Sequence, residues 1–261
     1  MRRAALVGVV VGCLLIALPG AALIQDTDIY IIAAGRGGGA NQSVWITTLY
    51  IYNPNVESTV VQIFPLERNK NNANVQAASI SMPAGTVEVL DDVILNTFGK
   101  SEWFGAFRII ATKPIAVEAA ISNVTPTGLF GHGVPGLPSL FAVNPAYQVS
   151  NAQVFSVAQD STWRTNLFAV AVDPAGASFS LTIYDVNHGV VKTVSGLSLQ
   201  PYEAKYWSLG DWLDSPLSEG FIDIRVNSGA AHFLGSRVNQ GTNDPLTLEP
   251  TLLAIRVREA Q

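Results

Sequence analysis

Cysteine is all but missing: the chain holds a single one, Cys13, and it lies inside an apolar run near the N-terminus. Arg2 and Arg3 precede that run, Ala4 to Leu18, and Pro19, Gly20, Ala21 and Ala22 follow it. A charged start, a short apolar centre and small residues at the end describe a secretory signal peptide, residues 1–22, with cleavage expected near Ala22. A retained anchor and a lipid on Cys13 are the lesser alternatives. A spanning helix needs roughly 20 apolar residues, and Leu14 to Leu18 stay apolar where a lipidated terminus turns polar. Removal of the leader leaves no thiol and no membrane span, which excludes disulfides, iron-sulfur clusters and a cysteine nucleophile.

Charge is scarce as well. Only 13% of residues are Asp, Glu, Lys or Arg, and setting aside Arg2 and Arg3 leaves 13 basic residues against 20 acidic ones, a formal charge of −7. No window carries a basic run. The densest, "ERNKNN" at 67–72, reads as a polar hairpin tip, so nucleic acid is not an expected partner. Helical periodicity is the third scarcity. Only "LDDVILNTFG" at 90–99 and "SLGDWLDSP" at 208–216 suit a turn or two, with Asp91 or Ser208 as N-cap.

What is present is period-2 alternation in β-branched and aromatic runs, such as "DIYIIAA", "VWITTLYIYN", "TNLFAVAVD" and "SFSLTIYDV", separated by turn signals. These predict an all-β chain of antiparallel strands. The chain also repeats itself. "SVWITTL" at 43–49 returns as "STWRTNL" at 161–167, Pro83 as Pro201, and Asn123 as Asn239, with the two short helices in matching places. We therefore expect two tandem antiparallel β-sandwich domains, 23–123 and 151–261, each with one short helix. An ordered Gly/Pro-rich connector, 124–150, joins them; its composition argues against regular structure, and its Leu, Phe and Tyr side chains against a free linker. Trp45 and Trp163 are expected to anchor the two cores, because Trp163, Thr165 and Leu167 share one strand face while Arg164 and Asn166 take the other.

The pattern resembles the tandem Ig-like β-sandwich repeats of secreted, mostly uncharacterised bacterial proteins. Trp45, Thr47, Leu49, Asn53, Pro54, Pro83, Ala84 and Gly85 carry the resemblance in the first unit. Trp163, Arg164, Thr165, Leu167, Asp173, Pro174 and Asn239 to Thr242 carry it in the second. Ile46 stands where Arg164 would match, and Gln200-Pro201-Tyr202 departs from Pro-Ala-Gly. The resemblance implies an Ig-like sandwich in an exported setting and no particular activity.

Motifs for chemistry are few. "AGRGGGANQS" at 34–43 lacks the Gly-Lys-Ser/Thr ending of a phosphate loop and reads as a hairpin tip. His132, His188 and His232 are too scattered for a metal site on one element, and no Gly-x-Ser-x-Gly elbow is present. Asp91, Asp92, Asp211, Asp214 and Glu219 read as capping and solvated loop charges. Aromatic pairs are the remaining candidates. Neighbours in a strand face opposite sides, so one residue of Trp103-Phe104, and one of Tyr206-Trp207, is expected outside. The expected contact residues are Trp103, Phe104, Trp207 and Trp212. The sequence reading is an exported, non-enzymatic structural or interaction protein of the periplasm, cell surface or extracellular space, without cofactor or metal, meeting a protein or glycan. Carbohydrate binding through those aromatics is one alternative. Self-assembly is another, through the start "LIQDTDIYIIAA" or the final "LLAIRVREA" pairing with a neighbour's sheet edge.

Overall fold

The structure, a computed structural model, describes residues 24–39, 42–126 and 128–253. The segment expected to be a signal peptide, with Cys13, and the chain after Leu253 lie outside them. The fold is all-β and antiparallel. Its first half contains β1 (Asp26–Gly38), β2 (Val44–Tyr52), β3 (Thr59–Glu67), β4 (Ala78–Met82), β5 (Val87–Leu90), a one-turn helix α1 (Val93–Asn96), β6 (Trp103–Thr125), β7 (Gly128–Pro135) and β8 (Leu137–Pro138). The second half contains β9 (Asn151–Gln159), β10 (Trp163–Ala171), β11 (Ala177–Asp185), β12 (Val190–Leu199), β13 (Ala204–Ser208), β14 (Leu217–Gly229), β15 (Ala231–Asn239), β16 (Pro245–Leu248) and β17 (Thr251–Leu253).

In the first half, β4, β3, the start of β6, β1 and β8 form one layer; β5, β2, the end of β6 and β7 form the other. Because β6 runs unbroken through both layers and β1 ends against β2, they join into one eight-stranded sheet. The second half has separate sheets, β12-β11-β14-β9-β17 and β13-β10-β15-β16. Here the equivalent of β6 breaks between β14 and β15. Gly229 turns the chain at φ 70, with no room for a side chain, since a Cβ would meet the Gly176 carbonyl oxygen at 2.0 Å.

Burial explains the two kinds of strand sequence. β11 alternates because only one face is covered: Phe179, Leu181 and Ile183 are buried and Ser180 and Thr182 are not. β1 is continuously apolar because both faces are covered. Ile29 and Ile31 belong to the first core, and Tyr30 meets the second half. The first core continues into Val170, Ala204 and Leu234 of the second half. Polar ties reinforce the junction. Asn69 N–H donates to Ala204 O at 2.9 Å, and Asn72 donates through its backbone to Pro201 O at 3.0 Å and through Nδ2 to Tyr202 O at 3.0 Å. The polar tip at 67–72 is thus a docking loop.

Thr47 and Thr165, at the same place in the repeated motif, do the same work. Each is fully buried. The Thr165 hydroxyl donates to Ala158 O at 2.8 Å and accepts from Ala158 N–H at 3.0 Å. Thr47 does likewise with Gly35, at 2.8 and 2.9 Å. A buried backbone amide that loses its only polar partner keeps its full desolvation penalty. Thr165→Val, nearly identical in shape, is therefore expected to destabilise by about 1–3 kcal/mol, measured by urea unfolding. A change within error would mean that another group takes over the Ala158 amide.

Several expectations need correction. Trp45 and Trp163 are half-buried rather than central to the cores. They sit near the ends of β2 and β10, where Trp163 lies under the Arg237 guanidinium at 4.5 Å. The inner positions fall to Thr165 and Leu167. The connector is partly regular: β7 extends β6, and β8 pairs with β1, as edge strands can in spite of glycine and proline. Asp91 is not the cap of α1. Its carboxylate accepts from Thr48 at 2.8 Å, and the N-cap is Asp92, left-handed at φ 38, with its own carboxylate held by Arg36 at 2.9 Å. Ser208 does cap a 3-10 turn, Leu209–Asp211, in a capping box. The "DIYIIAA" segment is no free edge, because β1 is hydrogen-bonded to β6 along most of its length and its side chains are buried. Of the final stretch, Thr251 to Leu253 pair with β9.

Candidate functional site

Gly35 and Gly37 are more than hairpin-tip residues. A Cβ on Gly35 would fall 2.7 Å from the Phe104 ring, and one on Gly37 2.8 Å from it. Glycine at both positions lets that ring lie directly on β1. Phe104 thereby faces the second half, and Trp103, its neighbour in β6, points the other way. Trp103 is 4% exposed and stacks on Phe107 at 5.3 Å. The expectation of an outward Trp103 is corrected: the alternation holds, with the tryptophan inside and the phenylalanine outside.

Phe104 forms one wall of a cleft of about 250 Å³ between the two halves. Trp45 of β2, Ile121 of β6 and His132 of β7 complete the first-half side. Opposite stand Arg164, Asn166 and Phe168 of β10, Tyr206 of β13, and Ser236 and Val238 of β15. These β10 residues are the alternate set to Thr165, Leu167 and Ala169, which fill the second core. A smaller adjoining hollow shares Ala34, Phe104, Phe168 and Tyr206 and adds Arg68 and Lys205. The Arg68 guanidinium sits 4.7 Å from the Tyr206 ring and 5.5 Å from the Phe104 ring.

His132, which lines the cleft, is held in one tautomer. Its Nδ1 is hydrogen-bonded to the Thr247 hydroxyl, whose one proton goes to Gly133 O at 2.6 Å. Nδ1 must therefore carry the ring proton, leaving Nε2 with a lone pair. Burial pushes the pKa of His132 down to about 4, against a weaker upward pull from Asp244, so the ring is neutral at pH 7. Ser236 shares the cleft, but no hydrogen bond joins it to His132.

The other expected contact residues are less open. Trp207 is half-buried against the second core, edge-on to Phe179 at 5.7 Å, and Trp212 lies 6.0 Å from Trp207. The five carboxylates expected as capping or loop charges are all engaged: Asp91 with Thr48 at 2.8 Å, Asp92 with Arg36 at 2.9 Å, Asp211 with the Ser208 backbone amide at 3.1 Å, Asp214 with Lys192 at 3.1 Å and Glu219 with Arg237 at 2.8 Å. Sequence reasoning missed Arg164, Asn166, Phe168, Tyr206 and His132 as a group. The available signal was Arg164 itself, an outward cation where the first copy of the motif has Ile46.

Compared with protein-family models and with curated proteins, the chain matches none. Among the described residues no helix is long and apolar enough to cross a membrane, and no group of three or more His, Cys, Asp or Glu is placed to hold a metal ion.

Proposed function

We propose that this protein is an exported, non-enzymatic recognition protein built of two tandem Ig-like units, and that it holds its ligand in the cleft where the units meet. The observation that carries the reading is the cleft itself: rings from both halves, Trp45 and Phe104 on one side and Phe168 and Tyr206 on the other, line one cavity. Such sites combine apolar walls with a few placed polar groups, here Arg164, Asn166, Ser236 and His132. Two observations support the tandem reading. Strand partners follow the same order in each half. Trp45 pairs across its sheet with Asn123, and Trp163 pairs with Asn239. Export rests on the leader sequence alone.

Carbohydrate binding thereby moves from Trp103 to the cleft, where flat rings offer stacking faces for a sugar. The test is a saturation-binding screen of the purified protein against soluble glycans and small ring compounds. Trp45→Ala is expected to weaken binding by roughly tenfold or more, the loss of one stacked aromatic contact plus its buried area. Saturable binding that survives both Trp45→Ala and Phe168→Ala would place the ligand elsewhere.

A second reading, association with a protein partner or another copy, is favoured by the outer face of β2 and β5. Tyr50 and Tyr52 are each 41% exposed and lie opposite Val89 and Val87, which are 52% and 57% exposed. An apolar cluster of this kind suits a protein contact. A monomer at every concentration in light scattering would argue against self-association.

A further inference from the structure

We propose that the cleft ligand is an acid: a carboxylate carried on a six-membered ring, seated with its charge on Arg164 and its ring between the aromatic walls. The inference rests on the reading of the cleft as the binding site and adds the chemistry of what it takes. The chain as a whole is acidic, at −5. Yet the cleft and its adjoining hollow are lined by Arg164, Arg68 and Lys205, with no Asp or Glu among the lining residues. Lys205 has a carboxylate nearby, Glu203 at 3.6 Å. The two arginines differ from it. Arg36, Arg108 and Arg237 each bind an aspartate or glutamate at 2.8 or 2.9 Å. Arg164, equally half-buried, has a polar contact to Asn243 Oδ1 at 3.4 Å and, among the described residues, no carboxylate within ion-pair distance. Arg68 rests on two rings and, among the described residues, has no carboxylate within ion-pair distance.

A half-buried guanidinium in a ring-lined cavity gains most from a charge-assisted, two-point hydrogen bond. A carboxylate is planar and matches that fork. A tetrahedral phosphate or sulfate carries further oxygens in need of donors, and the Phe104 and Phe168 walls of the cleft supply none. Asn166 and Ser236 beside Arg164 can meet hydroxyl groups on the ring. The cavity of about 250 Å³ limits the bound part to a single ring or little more. Two sources supply this chemistry: a uronic acid unit of a glycan, and a free aromatic acid.

The experiment is calorimetric titration of the purified protein with galacturonic and glucuronic oligosaccharides and with benzoate-type acids, each beside its neutral amide or ester. The acid is expected to bind roughly tenfold or more tightly than its neutral form, the scale of one charge-assisted hydrogen bond. Arg164→Gln is expected to abolish that difference, whereas Arg225→Gln, exposed on β14, preserves it. Which series binds identifies the source. Equal binding of acid and neutral forms, unchanged in Arg164→Gln, overturns the proposal; loss of that binding in Trp45→Ala would still support the cleft as the site. Failure of every acid to bind at millimolar concentration, with the Arg164→Gln variant folded and equally silent, overturns it too.

Discussion

Trp103→Ala is expected to lower the unfolding free energy by about 3–5 kcal/mol, the range for truncating a buried aromatic, while leaving affinity in the cleft unchanged. The ring is 4% exposed in the first core, stacked on Phe107 with Phe98 on the same cluster. Its removal takes away both buried area and an aromatic pair, and the surrounding strands can close only part of the space. Trp103→Phe should cost much less. The indole Nε1 is buried without a hydrogen-bond partner, so phenylalanine gives up area but also removes an unpaired donor. Urea unfolding of both variants, with a ligand titration of the more stable one, checks the prediction. Loss of binding in a fully folded Trp103→Phe protein would return this tryptophan to the recognition surface.

Acidification from pH 7.5 to 5 is expected to remove on the order of 4 kcal/mol of stability, through two histidines at the junction. Burial pushes the pKa of both His132 and His232 down to about 4. His232 is 2% exposed, its ring is 5.7 Å from that of Tyr30, and its Nε2 has no hydrogen-bond partner. In the unfolded chain each titrates near 6.5. Below that pH the unfolded chain takes up protons that the folded one refuses, so stability declines as pH falls from about 6.5 and levels off below about 4. At pH 5 this amounts to roughly 2 kcal/mol for each ring. Carboxylates held low, such as Glu67 by Lys70 and Asp160 by the amides of Trp163 and Thr162, matter only at more acidic pH. Urea midpoints measured from pH 7.5 to 5 should therefore show a slope that His132→Gln and His232→Gln each reduce. An unaltered slope in the double variant would assign the acid sensitivity to other groups.

The parts of the fold legible in the sequence are those set by local pattern. Period-2 alternation marks β11 and β10 because each has one wet or cleft-facing side, and it places Thr165 and Leu167 inward. The Ser208 cap was legible because Ser208 and Asp211 satisfy each other within one turn. Asp91 misled for the converse reason. Thr48, 43 residues earlier, captures its carboxylate, and Arg36, 56 residues away, captures that of Asp92. The connector misled because glycine and proline weaken a central strand but are tolerated at an edge, and composition does not say which strand is at the edge.

The chain's own residues are enough to specify antiparallel strands, the turns between them, the motif shared by Trp45 and Trp163, and which residues of β10 face opposite ways. These follow from side-chain alternation and local hydrogen bonding, which act over a few residues. They do not say which outward face meets water. Phe104, Phe168, Tyr206 and Arg164 look like ordinary surface residues until the second half packs on β1 and encloses them, and Trp103 looks like a surface candidate until β6 turns it inward. Enclosure depends on contacts between residues more than a hundred positions apart, such as Asn72 with Tyr202 and His132 with Thr247, and no pattern along the chain encodes such a distance.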